Sequence, residues 1–98
     1  MSLKTERNVI ITASGIKALR TVLLKQAEHL VLWHLVASLP VAGDVVSHAE
    51  LGRELAIAPT HISTAIKRLR ELGFLTRGVK VGGSYHYKFN PVFFRIIS

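Results

Sequence analysis

The stretch from Ser47 to Asn90 is divided by Ser47, Pro59, Gly73 and the pair Gly82-Gly83 into pieces that two helices and a hairpin fit best. Ser47, His48, Ala49 and Glu50 have the form of a capping box, in which the serine oxygen accepts from a first-turn N–H and the glutamate reaches back to the Ser47 N–H. Leu51 and Leu55 follow four apart, on one face of the helix so begun. Ala56, Ile57 and Ala58 form a short link to Pro59, whose fixed φ suits the first turn of a second helix. That helix is expected to run to Gly73. Phe74 and Leu75 then open a strand to Val81, and Gly82 with Gly83 supplies two positive φ values for a primed hairpin turn. The return strand is Ser84 to Phe89, where Tyr85, Tyr87 and Phe89 alternate with His86 and Lys88, the period of a strand with one packed face.

The second helix has two faces. On a wheel of about 100° per residue, Ile62, Ala65, Ile66, Leu69 and Leu72 gather into one arc that must turn toward a core. Thr60, Ser63, Thr64, Lys67, Arg68 and Glu71 occupy the opposite arc, with His61 at its edge. Short hydroxyl side chains in the first turns can approach base edges, and the longer cations behind them can reach phosphates. On the hairpin, Lys80 and Ser84 flank the glycine tip, with Arg77 and Lys88 further back. Such a tip lets backbone approach a phosphate or enter a minor groove, and cations beside it add affinity by releasing counterions. A basic helix taken alone is more often a solvated surface. Here helix, helix and basic hairpin arrive in order, which describes a winged helix-turn-helix. The expected fold class is mainly α with a small β-hairpin wing (α+β), and the expected contacts to double-stranded DNA are Thr60, His61, Ser63, Thr64, Lys67, Arg68, Arg77, Lys80, Ser84 and Lys88.

Charge distribution agrees. The formal net charge is +7, and residues 59 to 98 hold seven Lys or Arg (67, 68, 70, 77, 80, 88 and 95) against one acid, Glu71. A length of 98 residues suits one domain with a modest core. No run approaches the ~18 apolar residues of a membrane span, and no signal peptide or surface-binding amphipathic stripe is evident, so no membrane partner is expected. Cysteine is absent, which points to a reducing cytoplasm.

Catalytic and metal chemistry find little support. His29 and His34 point about 140° apart on a helix and cannot share an ion unaided, and no His-x-x-x-His pair exists. His34 reads as an interface or partly buried residue, and His61 as a phosphate or base contact whose affinity falls as pH rises. The acids Glu6, Glu28, Asp44, Glu50, Glu54 and Glu71 are scattered, with no carboxylate pair for two-metal chemistry. Gly82-Gly83 lies between strands and lacks the helix and lysine of a phosphate loop, and no Ser and His spacing argues for a triad. Neither an enzyme nor a cofactor is expected.

The N-terminal half is unusually apolar. Asn8 to Thr12 should form a strand, and Ser14 offers a cap for a helix carrying Ile16, Leu19, Val22 and Leu23. A further helix covers Gln26 to Leu39 and stops at Pro40, with Val41 to Asp44 as a turn. Its Leu30, Val31, Leu32, Trp33, Leu35, Val36 and Leu39 go almost all round the wheel, so it must be covered on every side. The cover is either the chain's own first strand and helix or those of a second copy. A homodimer is the preferred reading, with residues 1–46 as its dimerising part and 47–90 as helix-turn-helix plus wing within one domain over 1–98.

Leu51, Leu55, Ile57, Ile62, Ile66, Leu69, Gly73, Phe74 and Leu75 resemble the winged-helix pattern of bacterial transcriptional regulators of the multiple-antibiotic-resistance type. Asn8 to Thr12, Leu24-Lys25-Gln26-Ala27-Glu28 and Tyr87-Lys88-Phe89-Asn90-Pro91 add a likeness to the small plasmid replication proteins of the L type, over about residues 8 to 94. The resemblance implies a protein that binds DNA of its own replicon to start or control plasmid copying, with promoter repression as the alternative and a protein-interaction module as a third possibility. Two positions depart from the pattern: Ala58 stands where a capping serine is frequent, and Ala56 where the turn often carries glycine. An alanine cap forfeits ~1 kcal/mol, which Pro59 partly offsets.

Overall fold

A computed structural model describes residues 8 to 97; the ends of the domain expected over 1–98, Glu6 included, lie outside that range. The elements run β1 (Val9–Ile11), α1 (Ala13–Thr21), α2 (Gln26–Ser38), β2 (Asp44–Val46), α3 (His48–Leu55), α4 (Pro59–Glu71), β3 (Leu75–Val81), β4 (Ser84–Phe89) and β5 (Phe94–Ile96). The fold is α+β, a winged helix-turn-helix with an N-terminal strand and helix extension and two small antiparallel sheets.

The core is built on α2 and α4. Val31, Leu32 and Leu35 of α2 meet the apolar arc Ile62, Ala65, Ile66 and Leu69 of α4, all buried as the 3.6-residue period requires. Phe74, Phe89 and Phe94 close one end: Phe74 meets Phe94 edge-on at 5.5 Å and Phe89 lies 5.2 Å from Phe94, each ring adding about 1.5–3 kcal/mol by burial. Leu75, Tyr87 and Phe89 are the packed side of the hairpin, as its alternation required.

The helix-turn-helix corner depends on close backbone approach. Ile57 N–H donates to the Gly52 carbonyl at 2.9 Å, and a Cβ on Gly52 would lie 2.5 Å from the Ile57 carbonyl oxygen. Glycine is therefore needed inside α3 for space. The positive φ falls instead on Ala56, at φ 57 and ψ 43, the position where the sequence lacks the frequent glycine. Ala58 caps α4 without a side-chain bond, and Pro59 occupies its first turn.

Several expectations are corrected. Thr12, rather than Ser14, caps α1: its hydroxyl accepts from Gly15 N–H at 3.0 Å and donates to the Val92 carbonyl, while its N–H donates to Phe93 O at 3.0 Å. The returning 90–93 turn selects that hydroxyl. Only Val9–Ile11 of the first run is strand, and it pairs antiparallel with β5, which was not anticipated. Asp44, placed in a turn by its neighbours, opens β2, which pairs with β4 to give a sheet of order β2-β4-β3. Ser47 Oγ accepts from Glu50 N–H at 3.2 Å, but only this half of the box is formed. Of the glycine pair only Gly82 has positive φ (62), as a II′ turn needs at its first central residue. The helices end a residue early, α2 at Ser38 and α4 at Glu71. Within one chain α2 is left partly uncovered, with Leu30 and Trp33 41 % and 39 % exposed.

Asn90 locks the end of the wing to the end of α4. Its Nδ2 donates to the Gly73 carbonyl at 3.0 Å, its N–H donates to Phe74 O at 2.9 Å, and its Oδ1 accepts from Val92 N–H at 3.0 Å. The hairpin is thereby held in one orientation beside α4.

Candidate nucleic-acid interface

Thr60, His61, Ser63, Thr64 and Lys67 are exposed on the face of α4 opposite its buried arc. They are brought together by one helical stripe. Thr64 Oγ1 donates to the Thr60 carbonyl at 3.0 Å, which uses its proton within the helix and leaves its oxygen as an acceptor. Ser63 Oγ lies 2.7 Å from Nδ1 of His48, the first residue of α3. His48 in turn stacks on Tyr87 of β4, with ring centroids 6.3 Å apart and planes inclined by 27°. Burial lowers the His48 pKa, so the ring is neutral at neutral pH.

The basic residues divide into those that face solvent and those that do not. Arg68 is half-buried, with Nε 3.8 Å from Oε1 of Glu28, the one buried acid among the described residues. The same oxygen accepts from Lys25 N–H at 2.9 Å at the start of α2, so Glu28 ties α2 to α4. Arg70 has its Nε buried without a hydrogen-bond partner, and its charge opposes the upward pKa shift that burial gives the Tyr87 phenol. Lys67, Arg77, Lys80 and Lys88 remain exposed.

The wing presents two different faces. Arg77 pairs with Tyr87 and Lys80 with Tyr85, so both cations share the tyrosine face. The Arg77 guanidinium sits 4.3 Å from the Tyr85 ring centroid and the Lys80 ammonium 5.6 Å from it, an arrangement that holds them beside the hairpin. Lys88 pairs with Thr76 and Ser84 with Val81 on the other face. The ten expected contact residues are thus a stripe on α4, two cations on the near face of the wing, and Lys88 and Ser84 on its far face. Between the wing tip and the start of α3 lies a cleft of about 310 Å³ lined by His48, Lys80, Gly83 and Tyr85 among others.

Sequence reasoning missed His48 and Glu28. His34, read as an interface or partly buried residue, is half-buried within the chain, and its Nε2 lies 3.6 Å from Oε1 of Glu54. Among the described residues, no cluster of three or more His, Asp or Glu side chains could hold a metal ion, and no helix is long and apolar enough to cross a membrane.

Together, α3, the tight corner, α4 and the hairpin beside it define the winged-helix class. The chain is similar to the solution structure of the DNA-binding TubR fragment from Clostridium botulinum, with a TM-score of 0.56 and 18 % identity over 71 % of this chain and 88 % of that one. No protein-family model and no curated protein matches the chain.

Proposed function

We propose that the chain binds double-stranded DNA sequence-specifically, with α4 in a major groove and the wing against the neighbouring backbone. The observation that carries this is the exposed stripe on α4 from Thr60 to Lys67, with hydroxyl side chains in its first turns and a lysine behind them, and a cation-bearing hairpin held beside it. The similar TubR fragment is a DNA-binding one, which supports the reading. Thr60, His61, Ser63 and Thr64 face base edges; Lys67, Arg68, Arg77, Lys80 and Lys88 hold phosphates, and Ser84 meets DNA beside the wing tip.

The biological use we favour is plasmid replication initiation or copy control, on the resemblance to the L-type replication proteins. A homodimer completes the reading, because Leu30 and Trp33 leave one side of α2 uncovered. Two recognition helices ~34 Å apart would then demand an inverted repeat. Sedimentation of the unaltered chain and of Trp33→Asp tests this; a monomer at micromolar concentration in both would refute it.

Binding assays on duplexes of varied sequence and salt decide the main proposal. Lys80→Ala should weaken binding alike on all duplexes and reduce the salt slope by roughly one contact, whereas Ser63→Ala should change which sequence is preferred. Identical behaviour of the two variants on every duplex would defeat the assignment. Capture of fragmented source DNA at physiological salt then separates uses: enrichment at a replication origin supports replication, and enrichment at promoters supports a repressor. No salt-dependent duplex affinity at all would point to a protein partner.

A further inference from the structure

Ser63 is the one candidate base-reading side chain on α4 whose hydroxyl is engaged by another element. Thr64 bonds back to its own helix, and Thr60 and His61 have no described side-chain bond. A free serine rotor populates three staggered positions and can donate or accept in each, so alone it discriminates weakly among base edges. Here Nδ1 of His48 lies 2.7 Å from the oxygen. We infer that His48 is a positioning residue for sequence preference: it fixes the rotamer, and with it the direction of the remaining hydrogen bonds, of the Ser63 hydroxyl that α4 presents to a base pair. The inference rests on the reading of α4 as the DNA-facing helix.

Three features make the imidazole suited to that task. It stands at the first turn of α3, behind the Ser47 cap, so its backbone is anchored. Its ring lies on Tyr87, which is buried, so its plane is set by the wing. Partial burial keeps it neutral at neutral pH, and a neutral ring nitrogen takes one role toward the hydroxyl. If Nδ1 accepts, the Ser63 proton is used and the oxygen faces the groove as an acceptor. If Nδ1 carries the proton, the hydroxyl is left to donate. In that second case the oxygen also keeps one lone pair, so the accepting tautomer alone leaves Ser63 a single sense, while either tautomer fixes the direction in which its remaining hydrogen bonds point. The same ring touches α3, α4 and β4, so the angle between wing and recognition helix is held where the sequence is read.

The test is selection from a randomised duplex library with the unaltered chain, Ser63→Ala, His48→Phe, His48→Asn and the double variant Ser63→Ala with His48→Phe. Phenylalanine keeps a ring against Tyr87 and removes the hydrogen bond, while asparagine restores a polar atom near the place of Nδ1. His48→Phe should lower discrimination at the position affected by Ser63→Ala by roughly fivefold, about what one hydrogen bond contributes. The double variant should match Ser63→Ala, and His48→Asn should recover much of the preference. For His48→Phe, affinity for unrelated duplex and its salt slope should not change, which a misfolded variant would not reproduce. A His48→Phe protein with the unaltered preference, or an additive loss in the double variant, would overturn the inference while leaving DNA binding intact. Failure of the unaltered chain to select any duplex would overturn the DNA reading and this inference with it.

Discussion

Replacing Ala56 by glycine should stabilise the protein, against the usual rule that glycine near a helix weakens it. Ala56 holds φ 57 and ψ 43 at the end of α3, a left-handed conformation in which an L side chain costs about 1–2 kcal/mol. Its methyl is exposed, so little burial is lost on removing it. Glycine brings its own cost, about 0.4–1 kcal/mol of extra freedom in the unfolded chain. The difference favours Ala56→Gly by about 0.5–1 kcal/mol, a rise in Tm of roughly 2–8 °C for a domain of this size. Gly52→Ala, four residues earlier, should act in the opposite direction. Helix propensity alone would credit it with about 1 kcal/mol. A Cβ 2.5 Å from the Ile57 carbonyl oxygen meets backbone rather than a flexible side chain, and overpacking of that kind costs about 1–3 kcal/mol. Thermal and urea unfolding followed by circular dichroism would measure both, with an unchanged m-value showing that the native state is the one affected. A fall in Tm for Ala56→Gly together with a rise for Gly52→Ala is what an uninterrupted helix would give. That pair of results would refute the corner geometry.

Two further outcomes follow from the polar contacts. Glu28→Ala removes the acceptor of the Lys25 N–H and the partner of a half-exposed Arg68, so calorimetry should show a loss of about 1–2 kcal/mol, most of it from the helix start. Glu28→Gln keeps an acceptor and should lose less; equal losses would argue against the capping role. For His48, burial depresses the folded-state pKa below the ordinary 6.5, so between the two values the unfolded chain binds more protons. Stability should therefore be fully present above about pH 6.5 and decline as pH falls through the folded pKa. Melting curves from pH 8 to 5 should show a shallower acid decline for His48→Phe than for the unaltered chain, and parallel declines would remove His48 as a cause.

The elements between Ser47 and Asn90 were legible because each is signalled within a few residues. Ser47 caps one helix, Pro59 starts another, and Tyr85, Tyr87 and Phe89 alternate at the period of a strand. The missed strands are three residues long and owe their state to distant partners: Asp44–Val46 to β4, and Phe94–Ile96 to β1 at the other end of the chain. No local pattern marks such pairs. The cap of α1 shows the same limit. Thr12 and Ser14 are both acceptable by residue type, and a carbonyl near residue 93 decides between them. At the site, helical period alone identified the stripe from Thr60 to Lys67. His48 escaped notice because the first residue of a capped helix reads as solvent-facing, and its partner on α4 lies 15 positions on. Arg68 reads from the sequence as a solvent-facing cation, since nothing local places Glu28 against it.

The division of the wing into two faces bears on how it would meet DNA. If only the tyrosine face is used, Lys67, Arg68, Arg77 and Lys80 neutralise phosphates, and log K should fall with log salt at a slope of about −3.6 per protomer. If the hairpin enters a minor groove edge-on, its faces meet opposite backbones. Lys88 then contributes from the far side, which steepens the slope to about −4.5. The edge-on arrangement suits this hairpin better. Its tip is Gly82-Gly83, with open space where a Cβ would stand at either residue, so the backbone there can pass between two phosphate walls. Cations on both faces are what a groove with two charged walls would attract. Lys88→Ala should accordingly lower the slope by about 0.9, as much as Lys80→Ala, although the two lysines point away from each other. A Lys88→Ala protein with an unaltered slope would show that the wing lies flat, with its tyrosine face alone against one strand.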